Sequence, residues 1–158
     1  MDPNHIDASV LQNDQHFEAD IVIIGSGAGG GIAAEQFAAA GFKVLLLEEG
    51  AWYQREHFVM EERWAYPHLY QDGAGRKTKD QAIAILQGRT VGGSTTVNWT
   101  TSIRTPKATL DYWHSEFGLD FSGEQSLDPY FAKAAGRLDI STWQVPPNPN
   151  NEALKRGC

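Results

Sequence analysis

Cysteine is almost missing from this sequence, since its single copy, Cys158, is the last residue. One thiol cannot form a disulfide within the chain, and it excludes a cysteine-rich metal site. None of the five histidines pairs with another at a metal-ligand spacing such as H-x-x-x-H, so the sequence predicts no metal site.

Basic residues are also scarce, because 13 lysines and arginines stand against 20 aspartates and glutamates and leave a net charge of −7. This acidic balance argues against nucleic acid or an anionic membrane as the main partner. No apolar run approaches the ~18 residues needed to span a bilayer. Residues 1–18 are polar and lack the apolar segment of a secretory signal. We therefore expect a flexible leader over residues 1–18 and a cytoplasmic location, with peripheral membrane association left open.

The chain has 158 residues, of which 41% are hydrophobic, which is enough for one ordinary domain but not for two. The runs Asp20–Ile24 and Lys43–Leu47 each predict a buried parallel strand. Between them, Gly27–Ala40 is rich in alanine and predicts a helix, with Gly41 as its C-terminal glycine. Strand, helix and strand within about 30 residues form a βαβ unit. The predicted fold class is therefore α/β and Rossmann-like.

The turn between the first strand and the helix has the spacing G-x-G-x-x-G, as Gly25-Ser26-Gly27-Ala28-Gly29-Gly30. Gly25 permits the tight turn, Gly27 the close approach of a pyrophosphate, and Gly30 the close packing of helix and strand. The helix N-terminus then presents unpaired N–H groups and a positive dipole end to the phosphates. The motif predicts dinucleotide binding, and a merely flexible packing turn is the alternative. The predicted binding residues are Gly25, Ser26, Gly27 and Gly30.

An acidic residue, Glu48, ends the second strand 18 positions after Gly30. A carboxylate at this place can accept hydrogen bonds from the ribose hydroxyls of adenosine, and it disfavours a 2′-phosphate. Glu49 is an alternative ribose ligand, although Glu48 is favoured because it is the first acid after the apolar run.

A second glycine-rich segment runs from Gly88 to Asn98. Its stretch Gly92-Gly93-Ser94-Thr95 combines unhindered backbone N–H groups with two hydroxyls, which suits a phosphate or the edge of a flavin ring. Arg89 can supply a cation, and Asn98 can both donate and accept hydrogen bonds. On these residues alone, an ordinary glycine-rich surface loop stays an alternative to a binding loop.

Three blocks in this order, DIVIIGSGAGGGIAA, VLLLEEG and GRTVGGSTTVNW, resemble the glucose–methanol–choline (GMC) oxidoreductases over residues 19–138. The resemblance implies the N-terminal, FAD-binding part of an enzyme that oxidises the CH–OH group of an alcohol by hydride transfer to FAD. The last block is also similar, more weakly, to the long-chain alcohol oxidase branch. By resemblance, the residues beside the flavin and pyrophosphate would be Gly88, Arg89, Val91, Gly92, Gly93, Ser94, Asn98 and Trp99.

The resemblance also implies what this chain lacks, because the family's catalytic histidine lies near a C-terminal end that has no counterpart here. The five histidines match no catalytic motif of the family, so no catalytic residue is assigned. We expect a fragment with an incomplete GMC fold, inactive alone, for which FAD is the partner and an alcohol binds only in a complete enzyme. Two alternatives are a non-catalytic nucleotide-binding module, or subunit of a split protein, and an NAD-dependent dehydrogenase, which would need no second glycine-rich loop.

The remaining sequence predicts an FAD-binding domain over residues 19–104 and a helical start of a truncated substrate domain over 105–158. Trp52–Gln71 predicts a loop or short helices, and Ala82–Leu86 predicts a strand in a short hairpin around Lys79-Asp80. Proline and glycine signals predict three further helices. These are a helix with Thr105 as N-cap and Pro106 in first position that stops at Gly118, a helix from Pro129 toward Leu138, and a helix over Glu152–Arg156.

Overall fold

The computed structural model describes residues 5–142 and 144–158. The chain divides into two compact units, Met1–Trp99 and Thr100–Cys158. The first four residues of the predicted leader lie outside the described part, and the predicted boundaries at residues 18 and 104 stay predictions. Within the described part of the leader, a 3₁₀ helix at Ala8–Val10 is the regular element that forms.

The βαβ arrangement of the first unit is present where the sequence predicts it. Strands β1 (Ile21–Ile24) and β2 (Val44–Leu47) pair in parallel, and helix α1 (Ala28–Ala39) makes the crossover that parallel neighbours require. The paired positions are Ile21 with Val44, Val22 with Leu45, Ile23 with Leu46 and Ile24 with Leu47. Gly41 follows α1 with a φ of +91°, the left-handed conformation of a C-terminal glycine. The α/β class is confirmed.

Neither strand is buried to the extent that its apolar sequence predicts. In the described part of the chain, the buried side chains are those of Leu69 and Thr90, which are 5% and 1% exposed. Ile24 in β1 is 87% exposed. Strand β1 pairs with β2 alone, and one helix can cover only one face of so small a sheet. The strand positions are therefore predicted correctly, but the prediction that the strands are buried is wrong for this chain.

The segment after β2 forms short helices, as predicted for Trp52–Gln71. A 3₁₀ turn at Arg55–His57 precedes helix α2 (Glu62–Leu69). Two more 3₁₀ turns follow, at Gln71–Ala74 and, inside the second glycine-rich segment, at Gly93–Thr95. Helix α2 and the last of these turns both contribute to the candidate site described below.

The predicted strand at Ala82–Leu86 does not form. Within the described residues, the hairpin is reduced to an isolated antiparallel bridge between Lys77 and Ala84, with a backbone hydrogen bond of 3.0 Å from the Thr78 N–H to the Ile83 carbonyl. A lone two-stranded hairpin is only marginally stable in water. Because no further described strand pairs with this hairpin, its β-branched residues are not enough to hold an extended ladder.

The second unit, in its described part, contains helices α3 (Lys107–Phe117), α4 (Asp128–Arg137) and α5 (Pro149–Gly157). Helix α3 begins one residue later than predicted, because Pro106 rather than Thr105 is its N-cap residue, with an extended ψ of 146°. It ends, as predicted, at Gly118, whose φ of +66° is again left-handed.

The two remaining helices begin within three residues of their predicted starts. Helix α4 begins near the predicted Pro129, where the Asp128 N–H donates to the Ser126 hydroxyl at 3.2 Å. Helix α5 begins three residues before the predicted Glu152, because the Asn148 side chain accepts the Asn151 N–H at 2.9 Å. Among the described residues, no helix combines the length and apolar character needed to cross a membrane.

Candidate cofactor-binding site

The first glycine-rich loop forms the turn between β1 and α1 in the conformation that its spacing predicts. Gly25 has a φ of +90°, which favours glycine. A Cβ at Gly30 would overlap the carbonyl oxygen of Gly25, so α1 approaches the end of β1 as closely as a glycine allows. The first-turn amides of α1, Ala28 to Gly30, have no acceptor within their own helix. Unpaired amides at a helix N-terminus are suited to an anion.

Glu48, at the end of β2, is held by the first loop. Its Oε2 accepts the Ser26 N–H at 2.8 Å and the Ser26 hydroxyl at 2.6 Å, and its Oε1 accepts the Gly50 N–H at 2.8 Å. Partial burial is the largest single influence on the pKa of Glu48 and raises it. The hydrogen bonds from Ser26, Gly50 and the Glu49 backbone together outweigh burial, so the pKa lies below its ordinary value. The carboxylate is therefore ionised at neutral pH and fixed in orientation.

The second glycine-rich loop lies directly against the first. The Gly92 N–H donates to the Ser26 hydroxyl oxygen at 2.9 Å, across 66 positions of sequence. A Cβ at Gly93 would lie 3.0 Å from the Cα of Gly27, so the two backbones are in tight contact at these glycines. The two motifs, which the sequence predicts separately, form one continuous structure.

Residues that the sequence analysis did not single out anchor the second loop. Thr90 is enclosed and its hydroxyl donates to the Ala51 carbonyl at 2.9 Å, while the Arg89 N–H donates to the Leu69 carbonyl at 2.8 Å. A Cβ at Gly50 would overlap the backbone of Thr90. The one sequence signal for this contact is the glycine directly after the two acids that follow β2.

The second loop offers fewer unpaired amides than its glycines suggest. The N–H groups of Gly92, Gly93 and Thr95 donate to the Ser26 hydroxyl, the Thr90 carbonyl and the Gly92 carbonyl, respectively. These amides hold the loop in shape. The unpaired N–H groups of the first turn of α1 are therefore stronger candidates for a phosphate contact than these three amides.

Arg89 and the alternative acid Glu49 contact each other. The Arg89 Nε lies 3.3 Å from the Glu49 Oε2, and both side chains are exposed. The two candidate ribose ligands thus differ in surroundings, since Glu48 is bound by the first loop and Glu49 by a cation of the second.

A groove of about 510 Å³ lies at the carboxyl ends of β1 and β2, between the two loops. The edge where parallel strands end is the usual place for a ligand in an α/β sheet. The predicted site residues that line the groove are Gly25, Gly27, Glu48, Gly88, Arg89, Gly93 and Ser94. Ser26, Gly30 and Gly92 lie behind this lining, in the contacts described above. Val91, Asn98 and Trp99 are also outside it, and the Asn98 amide donates to the Thr95 carbonyl at 2.5 Å.

None of the histidines in the described residues lines this groove. His68 stacks on Trp64, with ring centroids 4.7 Å apart and planes 7° from parallel, and Tyr53 packs edge-on against both rings. His57 also packs against Tyr53. In the part of the chain that the structure describes, no three His, Cys, Asp or Glu side chains are grouped as a metal site requires.

A family profile for GMC oxidoreductases matches residues 66–158, more than half of the chain. The chain belongs to the GMC oxidoreductase family. The matched part contains the second glycine-rich loop but starts after the first, whose spacing is common to many dinucleotide-binding proteins. The family prediction made from the three sequence blocks is confirmed, and the N-terminal domain of GMC oxidoreductases is generally FAD-binding.

The similar proteins include named alcohol oxidases. Long-chain-alcohol oxidase FAO4A of Arabidopsis thaliana is 36% identical over 151 residues, which cover 96% of this chain and 21% of the relative. Long-chain-alcohol oxidase FAO4B of the same plant is 34% identical over 154 residues, 98% of this chain and 21% of the relative. The GMC-type oxidoreductase Rv0492c of Mycobacterium tuberculosis is 34% identical over 164 residues, which cover 89% of this chain and 26% of the relative. The chain thus spans about a fifth to a quarter of the length of these GMC relatives.

Proposed function

We propose that this chain forms the FAD-binding part of a GMC oxidoreductase that oxidises the CH–OH group of an alcohol. One observation carries the proposal, namely the direct contact of the two glycine-rich loops through Ser26 and Gly92 beside the groove. A single G-x-G-x-x-G turn would suit any dinucleotide. The second loop supports a flavin dinucleotide, because an NAD-dependent dehydrogenase would not need it.

The proposed cofactor contacts begin at the N-terminus of α1, in a Rossmann-like βαβ unit. Its unpaired first-turn amides, beside Gly25 and Gly27, would bind the pyrophosphate. Glu48 would accept a hydrogen bond from a ribose hydroxyl. Ser26 and Gly50 donate three close hydrogen bonds to this carboxylate. A ribose hydroxyl would take the remaining one of its roughly four acceptor sites, in place of the Glu49 backbone contact, which has the smallest effect on its pKa.

On the opposite side of the groove, Gly88, Arg89, Gly93 and Ser94 line the wall that would face the cofactor. Arg89 would bring a positive charge to the phosphates if it left its exposed pairing with Glu49. We propose that the remaining family positions support this wall from behind, because they lie outside the lining. These positions are Val91, Gly92 and Asn98, whereas Trp99, which is 87% exposed, stays a flavin neighbour by family resemblance only.

FAD would supply the hydride acceptor, and the alcohol would become an aldehyde or a ketone. Oxidation also requires a base for the hydroxyl proton, and no described histidine lines the groove. We therefore propose that the isolated 158-residue chain binds FAD without turnover. The similarity to long-chain-alcohol oxidases makes a long-chain alcohol the first substrate to test in a longer protein that contains this segment.

The test is an FAD titration of the purified chain and of the variants Glu48→Gln and Glu49→Gln, followed by flavin fluorescence. A hydrogen bond to a charged group contributes about 1.5–3 kcal/mol, so Glu48→Gln should weaken FAD binding by roughly 10-fold to 150-fold. Glu49→Gln is the matched control, because it removes the same charge one position away, and it should change the affinity less than threefold.

Circular dichroism would confirm that both variants keep the secondary structure of the original chain. A larger loss in Glu49→Gln would make Glu49 the ribose ligand. Tighter binding of NAD than of FAD would contradict the proposal, and alcohol oxidation by the 158-residue chain would contradict the predicted lack of turnover.

A further inference from the structure

We infer that Ser26 is a positioning residue, whose hydroxyl joins the two glycine-rich loops and orients Glu48 instead of contacting the cofactor itself. The inference rests on the proposed function in that the assembled site serves a dinucleotide. The Ser26 Oγ donates to the Glu48 Oε2 at 2.6 Å and accepts from the Gly92 N–H at 2.9 Å. A serine hydroxyl has one proton to donate, and here that proton is engaged by the carboxylate.

The two hydrogen bonds of the Ser26 hydroxyl form a chain from the amide of Gly92 to the carboxylate of Glu48. A carboxylate acceptor makes the bond to Glu48 short and strong. Linked hydrogen bonds polarise one another, so the bond to Glu48 makes the Ser26 oxygen a better acceptor for Gly92. Ser26, Glu48 and Gly92 are all partly buried, so water competes less for the two hydrogen bonds of the Ser26 hydroxyl.

The surrounding backbone leaves the second loop little freedom once this bond forms. Gly93 lies so close to Gly27 that a Cβ would be 3.0 Å from the Gly27 Cα. The Ser26 bond and this contact together set the distance between the two walls of the groove. A ligand in the groove would contact the second glycine-rich loop, and the position of that loop depends on Ser26 in the first loop.

The pattern of N–H groups supports the same conclusion. The Gly92 amide, which would otherwise be available to a phosphate, donates to Ser26. The Ser26 amide donates to Glu48. Neither backbone donor is open to a cofactor, so Ser26 and Gly92 serve the site by holding other groups in place.

The first experiment measures the exchange of the Gly92 amide hydrogen by NMR in the cofactor-free 158-residue chain. Ser26→Ala should speed this exchange at least tenfold, and Ser26→Thr, which keeps a hydroxyl, should restore most of the protection. Ser94→Ala is the matched control, since the Ser94 hydroxyl accepts from the Gly88 N–H and not from Gly92. Unchanged exchange in Ser26→Ala would overturn the inference.

If Ser26→Ala does not fold, the Ser26→Thr chain and the original chain decide the question. Slow exchange of the Gly92 amide in both supports the inference, and rapid exchange in either overturns it. None of these measurements uses FAD, so a chain that failed to bind FAD would contradict the proposed function without touching the role of Ser26.

The second experiment asks whether Ser26 acts through Glu48, using FAD affinities of the two single variants and the double variant. Ser26→Ala should weaken binding about tenfold in the original chain but no more than about threefold in the Glu48→Ala background. Such non-additivity is expected of residues that share one interaction. An equal loss in both backgrounds would mean that Ser26 contacts the cofactor directly, and it would overturn the inference.

Discussion

Replacing Gly30 with alanine tests how closely α1 approaches β1. A Cβ at Gly30 would overlap the carbonyl oxygen of Gly25, a backbone atom that cannot rotate away, and would lie 3.4 Å from the Ile23 side chain. At the next position, Gly31, a Cβ would lie 3.7 Å from the Ser26 carbonyl oxygen, which is ordinary van der Waals contact. Because both residues lie in α1, comparing Gly30→Ala with Gly31→Ala isolates the steric effect from helix propensity.

Alanine is favoured over glycine in a helix interior by about 0.8–1.0 kcal/mol, so Gly31→Ala should leave the free energy of unfolding unchanged or raise it. Overpacking typically costs about 1–3 kcal/mol, and Gly30→Ala should be less stable than Gly31→Ala by that amount. Urea unfolding of the two 158-residue variants, followed by far-ultraviolet circular dichroism, measures the difference. An FAD titration of each variant is a second readout. Equal stability and equal FAD affinity of the two variants would refute the tight approach.

Two further predictions concern the anchor of the second loop and the ionisation of Glu48. Leu69→Ala should lower the free energy of unfolding by about 2–5 kcal/mol, because Leu69 is buried. Leu86 is exposed, so Leu86→Ala should lower the free energy of unfolding much less in the same urea assay. Equal losses in the two variants would contradict the burial of Leu69. The lowered pKa of Glu48 means that its ionised form adds stability above the unfolded pKa of about 4.3, and that this contribution is lost as the pH falls through the folded value. The stability difference between the original chain and Glu48→Gln should therefore shrink from pH 7 to pH 3, and a difference independent of pH would contradict the hydrogen bonding.

Local elements of the fold follow closely from the sequence. The two apolar runs, the alanine-rich segment between them and Gly41 predict β1, α1 and β2 within one or two residues of their observed ends. Each of these depends on interactions between near neighbours or on the backbone freedom of a glycine. The strand predicted at Ala82–Leu86 fails because a strand depends on a partner, and the partner is not encoded in the strand itself.

The candidate site also has a part that the sequence predicts and a part that it does not predict. The spacing of the first motif predicts a helix N-terminus for phosphates, and the three sequence blocks predict the family correctly. Neither pattern contains a signal that Thr90 would be enclosed, or that Arg89 would meet Glu49. Those contacts join segments about 40 residues apart, and no local rule sets such distances.

By itself, the sequence determined the βαβ unit, the glycines that shape its turn and the membership in a flavoprotein family. These features can be predicted because φ angles, helix signals and apolar runs depend on residues that are close together in the sequence. Tertiary structure alone decided that Ser26 bonds both Glu48 and Gly92, and that the strands stay partly exposed. Such contacts exist only when distant backbone segments pack together, because a hydrogen bond requires its two atoms to lie within about 3 Å.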